Sequence, residues 1–236
     1  MTAVVLITGA GSGIGLATAR AVVARGARAI LWDISGPALD AARAELGEDA
    51  VSTAIIDVSD PDAVATARLD GVTHLVNNAG ILGQRMDWAE LDADHLQSVF
   101  HVNLVGLMLV TQAFAKARVG HPTASIVNIS SIAGENGGGP GFAAYGASKG
   151  AIMALTRAMA RDFAPDMRVN ALAPGIIDTP IQDAIMTAPN ARAQAAEGIP
   201  MGRMGTAGEV AQAAEWLLFD APYTTGEIIR IAGGRR

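Results

Sequence analysis

Short runs of β-branched and other apolar residues alternate along the chain with longer stretches whose apolar positions recur at helical spacing. The runs at 4–7, 29–32, 52–56, 74–76, 125–129, 168–171 and 228–231 predict seven strands. Residues 13–25, 36–46, 93–117, 147–163 and 207–219 predict the helices between them. Strands alternating with helices imply right-handed crossovers, hence a mainly parallel sheet covered by helices on both faces. No internal repeat, low-complexity tract or Pro/Ser-rich linker interrupts the pattern, so residues 1–236 are expected to form one doubly wound α/β domain. Two stretches break the periodicity. Residues 134–141 are rich in glycine and contain Pro140, which predicts a loop after the fifth strand. Residues 176–205 mix Pro and Gly with amphipathic positions after the sixth strand, where a segment covering a substrate is expected. Ligands of open α/β sheets bind outside the carboxyl ends of the strands, and both stretches fall there.

Composition narrows the function classes. Half of the residues are hydrophobic and 17% charged, enough apolar material for a sizeable core. With a net charge of -6 and no Lys/Arg run, a nucleic-acid partner is not expected. No cysteine is present, and His74, His95, His101 and His121 show no ligand spacing, so no metal is assigned. Residues 1–7 lack a basic leader and run directly into glycines, and the apolar run 104–110 is too short to span a bilayer. The expectation is a cytoplasmic protein without a membrane segment.

The first strand runs into Thr8-Gly9-Ala10-Gly11-Ser12-Gly13-Ile14-Gly15 and then a helix. Glycines there allow a tight turn and let backbone N–H groups approach a pyrophosphate at the positive helix end. The second strand ends in Trp32-Asp33-Ile34, which places a carboxylate where the ribose hydroxyls of an adenosine would lie. A carboxylate there favours NAD over NADP.

Farther along, Ser130-Ser131 ends the fifth strand, and Tyr145 and Lys149 stand four apart, on one face of a helix. A free tyrosine titrates near ~10, a poor base at neutral pH. An adjacent ammonium should lower that value, and a serine hydroxyl can hold a substrate oxygen. Together they make a proton-transfer site able to accompany hydride transfer.

The TGxxxGxG turn, the Asn77-Asn78-Ala79-Gly80 run, the paired serines and the Tyr-xxx-Lys spacing, taken in this order, resemble the short-chain dehydrogenase/reductase family over essentially the whole chain. That resemblance implies a Rossmann-type fold. It implies Ser131 as the substrate-positioning hydroxyl, with Ser130 as rival, Tyr145 as general acid/base, and Lys149 as tuner of Tyr145 and ligand of the nicotinamide ribose. Asn103 matches the family's mid-helix asparagine, which helps hold a proton-relay water; asparagine is a poor helix-interior residue. The implied cofactor contacts are Gly9, Ser12, Gly13, Ile14 and Gly15 at the turn, Asp33 and Ile34 at the ribose, and Asp57 and Val58 at the adenine. Asn78, Ala79 and Gly80, with Tyr145 and Lys149, follow, and Pro174, Gly175, Ile177 and Thr179 are expected near the carboxamide. The resemblance also points to a homotetramer paired through the helices near 93–117 and 147–163. Two departures stand out. Residues 60–70 are short for a covering helix, and Ala232 precedes the terminal glycines where many relatives carry Asp.

The expected function is NAD(H)-dependent interconversion of a secondary alcohol and a ketone on a small-molecule substrate. The alternatives are reduction of 3-oxoacyl thioesters on an acyl carrier protein, or a non-catalytic dinucleotide-binding regulator. Gln84, Met86, Asn136, Phe142, Ile176, Ile181 and Met186 are the candidate substrate contacts. Most are apolar, which suits a neutral substrate, although Arg192 and Arg203 in the covering segment offer cations to an anion.

Overall fold

The computed structural model describes residues 2–118, 120, 121 and 123–236. Seven parallel strands form the sheet: β1 (Val4–Thr8), β2 (Arg28–Asp33), β3 (Val51–Ile55), β4 (His74–Asn77), β5 (Ser125–Ile129), β6 (Arg168–Pro174) and, last in the chain, β9 (Ile228–Ile231). Their order across the sheet is β3-β2-β1-β4-β5-β6-β9. The chain therefore leaves β1 toward one edge and returns through β4 toward the other. The crevice between β1 and β4 is the topological switch point at which such sheets bind ligands.

Alternation along the strands divides the core between the two faces. Val5 and Ile7 join Ala19 and Val22 of α1 (Gly13–Ala24), Leu39 of α2 (Gly36–Leu46) and Leu217 of α9 (Ala207–Phe219). On the other face Leu6 and Leu75 join Val64 of α3 (Pro61–Thr66), Phe114 of α5 (Leu107–Ala117) and Ile152 of α7 (Ala143–Phe163). All five residues of β5 are buried, as expected of a parallel strand covered on both sides.

All seven expected strands and the five expected helices are present, with boundaries that shift for identifiable reasons. The helix carrying Tyr145 begins at Ala143, four residues before the expected start, because the Gly146 N–H already bonds to the Phe142 carbonyl. Strand β6 runs on to Pro174, paired with Ile231 of β9. The glycine-rich stretch is not wholly irregular: α6 (Ala133–Asn136) forms one helical turn, with the Ser131 hydroxyl accepting the Ala133 N–H, before the loop resumes at Gly137. Here α6 and α7 touch so closely that a Cβ on Gly146 would stand 2.5 Å from the Gly137 carbonyl oxygen. Helix α3 has only six residues, capped by Asp60, whose carboxylate accepts the N–H groups of Asp62 and Ala63.

The apolar run near 104–110 belongs to something longer. Helix α4 (Ala93–Phe100), a π-helical turn at His101–Gly106 and α5 form an unbroken helix of 25 residues, long and apolar enough by composition to cross a membrane. In the fold it is a core helix on one side, with Val99, Asn103, Val110 and Phe114 buried, while Val105 and Met108 face outward. The covering segment holds β7 (Ile177–Asp178), a 3₁₀ turn at Pro180–Gln182, α8 (Ala191–Glu197) and β8 (Gly205–Thr206), with β7 pairing with β8.

Candidate active site

A cavity of about 510 Å³ opens at the switch point. Its walls bring together Gly9, Ser12, Gly13, Ile14, Asp33, Ile34, Asp57, Val58, Asn78, Ala79 and Gly80 with Ser131, Tyr145, Lys149, Pro174, Gly175, Ile177 and Thr179. Of the expected cofactor contacts, Gly15 alone lies off the wall. Its place is structural, since a Cβ there would stand 2.1 Å from the Gly9 carbonyl oxygen as the helix tucks under the turn.

The cavity suits a dinucleotide. The turn from β1 delivers main chain into the N-terminus of α1, and no acidic residue lies in the helix's first turn to compete for an anion. Asp33 grips both flanks of its own site: its Oδ2 accepts the Gly11 N–H at 2.9 Å and its Oδ1 the Ser35 N–H at 2.9 Å. The carboxylate is thus held on the wall with lone pairs free for ribose hydroxyls. Lys149 is the one cation among the lining residues, and it belongs to the β5 and α7 side rather than the Asp33 end.

Asn78 plays a different part from a direct ligand. Its amide donates to the carbonyls of Thr8 at 2.9 Å and Gly9 at 3.0 Å, while the Thr8 hydroxyl accepts the N–H groups of Asn78 and Ala79. The pair locks the ends of β1 and β4 to each other beneath the cavity. Asn103 likewise spends its amide on protein. It accepts the Ile81 N–H at 2.8 Å and donates to the Ile81 carbonyl and the Ser148 hydroxyl. Fully buried in a π-helical turn, it ties the loop after β4 to α7. π turns inside α-helices recur at functional sites.

At the reacting end, the two serines divide their work. Ser130 donates to the Lys149 carbonyl at 2.7 Å and is committed to holding α7. Ser131 stands close enough to Tyr145 to lower its pKa, and its contact to the Pro174 carbonyl is long, at 3.4 Å. The geometry therefore favours Ser131 over Ser130 as the hydroxyl facing a substrate. Burial raises the Tyr145 pKa, and the nearby Ser131 hydroxyl opposes this. This reverses the direction expected from the Tyr-xxx-Lys spacing. The reason is positional: the Lys149 ammonium donates to the Ile129 carbonyl at 2.8 Å and lies 5.7 Å from the Tyr145 ring centroid. Tyr145 is thus held as a neutral phenol, ready to donate.

Burial also lowers Lys149 from 10.5 to about 8. In the unfolded chain this lysine stays protonated up to its ordinary value, so the folded state carries a desolvation cost below pH 8 that fades as pH rises toward 10.5. The full difference corresponds to about 3 kcal/mol, offset in part when the Ile129 carbonyl loses its donor. Lys149→Met is therefore expected to gain roughly 1–3 kcal/mol of stability at pH 7. The advantage over the unmodified protein should disappear by pH 10, as parallel urea titrations at the two pH values would show.

The candidate substrate contacts are less well gathered. Ile181 lines the cavity, whereas Gln84, Met86, Phe142 and Met186 do not. Ile176 faces a separate hollow of about 400 Å³ beside the C-terminal turn. Asn136 donates to the Arg236 carbonyl and accepts the Gly138 N–H, so its amide is spent within its own turn and on the chain's last residue. Both arginines of the covering segment are already paired, Arg192 with Asp178 and Asp183, and Arg203 with Glu209. Ser130 also lines the wall, which Ile56, Ile81, Val102, Ile129, Pro180 and Gln182 complete without having been singled out in the sequence. Each adjoins a strand end or motif that was, which is the signal that would have found them.

A family model described as enoyl-(acyl carrier protein) reductase matches residues 9–236. A galactitol 2-dehydrogenase (L-tagatose-forming) of Cereibacter sphaeroides is 40% identical, the match covering 97% of this chain and 92% of the relative. The chain belongs to the short-chain dehydrogenase/reductase family. A 3-oxoacyl-[acyl-carrier-protein] reductase of Thermotoga maritima is 37% identical over 98% of this chain and 96% of its own. Among solved structures, a short-chain dehydrogenase/reductase titled glucose/ribitol dehydrogenase, from Brucella melitensis, superposes with a TM-score of 0.90 at 34% identity. That superposition covers 98% of this chain and 96% of the other. The protein is thus an oxidoreductase acting on alcohol or ketone groups.

Proposed function

We propose that this oxidoreductase uses NAD(H) and acts on a neutral secondary alcohol or its ketone. The observation that carries the reading is one cavity with Asp33 in its wall at one end and Ser131, Tyr145 and Lys149 at the other. A bound nicotinamide would supply or accept the hydride. In the reductive sense, Ser131 holds the carbonyl oxygen and Tyr145 gives it a proton. In the oxidative sense, Tyr145 takes the proton of the alcohol. Lys149 holds a ribose and favours the phenolate while it exists, and Asn103 keeps α7 in register with the loop at Ile81.

A neutral substrate is supported by the pairing of Arg192 and Arg203 with carboxylates, which leaves neither free for an anion. The 37% identity to an acyl-carrier-protein reductase favours a second reading, reduction of 3-oxoacyl thioesters. The net charge of -6 argues against docking an acidic carrier. Assaying NADH and NADPH oxidation against polyol-derived ketones, cyclic ketones and 3-oxoacyl thioesters decides between them. Turnover of ketones with NADH is expected; turnover confined to thioesters, or none at all, rejects the proposal.

The reading includes a homotetramer in the cytoplasm. On the two helices expected to pair, Leu107, Val110, Ile152 and Met153 are buried within the chain itself. The outward stripe on the central helix is narrower, with Met108 48% and Val105 36% exposed. Light scattering at micromolar concentration is expected to give the mass of four chains. A monomer mass refutes this part.

A further inference from the structure

We infer that Arg192 is a positioning residue for the cavity, stapling residues 179–186 over the glycine turn. The inference rests on the dinucleotide reading above. Thr179, Pro180, Ile181 and Gln182 all line the cavity, and the Thr179 side chain lies 3.4 Å from where a Cβ on Gly13 would stand. The segment thus crosses the turn that would hold the diphosphate.

Its own hydrogen bonds are short in range. Thr179 Oγ1 donates to the Ile177 carbonyl, and the N–H groups of Gln182, Asp183, Ile185 and Met186 donate to carbonyls three or four residues back. Among the described residues, the one hydrogen-bonded tie from this segment to a different element runs through Arg192 of α8. Its Nη2 donates to Asp183 Oδ1 at 2.7 Å, and its Nε to Asp178 Oδ1 at 2.9 Å. One planar guanidinium therefore spans the segment, with a carboxylate held just before it and another inside it.

Helix α8 itself is exposed, and its anchor is the chain that follows it. It is followed by Ile199, which is 4% exposed, and the Met201 N–H donates to the Gly233 carbonyl in the C-terminal turn. At the other end, Asp178 is held by the pairing of β7 with β8. Without Arg192 the segment keeps its local turns but loses its connection to α8, and the wall it forms is free to lift from the turn. Because all three side chains are partly exposed, the expected effect is moderate.

Hydrogen exchange of residues 179–186 in the full chain without nucleotide, and NADH affinity from its fluorescence, test this. Arg192→Gln is expected to speed exchange in that segment several-fold and to weaken NADH binding about 3–10-fold, with an unchanged melting temperature. Asp178→Asn with Asp183→Asn should do the same, and adding Arg192→Gln to that pair should do nothing more. Arg192→Lys should restore part of the affinity, since an ammonium cannot fork between two carboxylates. Unchanged exchange in Arg192→Gln overturns the staple, as do multiplicative effects with the Asp pair. Faster exchange with unaltered NADH affinity overturns its role at the cavity. Faster exchange in a protein that binds no NADH even when unmodified supports the staple and overturns the dinucleotide reading instead.

Discussion

Replacing Tyr145 by Phe is expected to reduce turnover by at least ~100-fold, the lower end of what general acid–base catalysis contributes. The substitution removes one oxygen and leaves the ring, so the packing of α7 against α6 and β6 is preserved. The lost oxygen is the phenol that burial holds protonated. Neither Ser130 nor Lys149 is free to replace it. Ser130 is committed to the Lys149 carbonyl, and the Lys149 ammonium donates to the Ile129 carbonyl. Nucleotide affinity should stay within about threefold of the unmodified protein, because the ring and Lys149 remain in place. Steady-state kinetics with NADH titration separates the two quantities. Near-normal turnover would end the assignment of Tyr145 as the acid/base.

Exchanging the residues at the ribose end should change the nucleotide preference by about as much. Asp33 is fixed on the cavity wall by the N–H groups of Gly11 and Ser35, so it cannot swing away from an incoming phosphate. Two unit charges ~4 Å apart interact by about 4 kcal/mol at an effective dielectric of 20. Solvent at the rim reduces this to roughly 2–3 kcal/mol, or on the order of a hundredfold in affinity. A compensating cation is absent from this end of the wall: Arg28 stands at the start of β2, and Arg43 on α2 lies 3.8 Å from Asp40. Ile34, 72% exposed beside Asp33, is the natural place to add one. NAD(H) is therefore expected to exceed NADP(H) in kcat/KM by about a hundredfold, and Asp33→Ser with Ile34→Arg to weaken or reverse that order. Equal or better kcat/KM with NADPH in the unmodified protein would overturn this reading of Asp33.

Much of this molecule is written locally in its sequence. Central strands such as β1 and β5 could be located because parallel strands buried on both faces read as short, mainly apolar runs. The less buried edge strands β3 and β9 were legible from their β-branched residues. The turn from Thr8 to Gly15 and the spacing of Tyr145 and Lys149 could be read because each rests on contacts between near neighbours in the chain. The same logic located Asp33 at a strand end, from which the order of the sheet puts it in the cavity wall.

What only the tertiary structure decided depends on groups far apart in sequence. The direction of the Tyr145 shift followed from its burial in the folded chain, and the Lys149 ammonium is held by the Ile129 carbonyl, 20 residues away. Asn103 could be noticed as an odd helix residue, but its partners Ile81 and Ser148 come from two other parts of the chain. Asn136 and Ile176 lie in the expected loops yet turn to the C-terminal end, because Arg236 and β9 pack there. Arg192 reads in sequence as a free cation for a substrate, and in the fold it is spent on two carboxylates. Local periodicity determines which elements form, since backbone hydrogen bonds and burial act over a few residues. Which side chains meet is determined by the packing of those elements, and so is the charge each one carries.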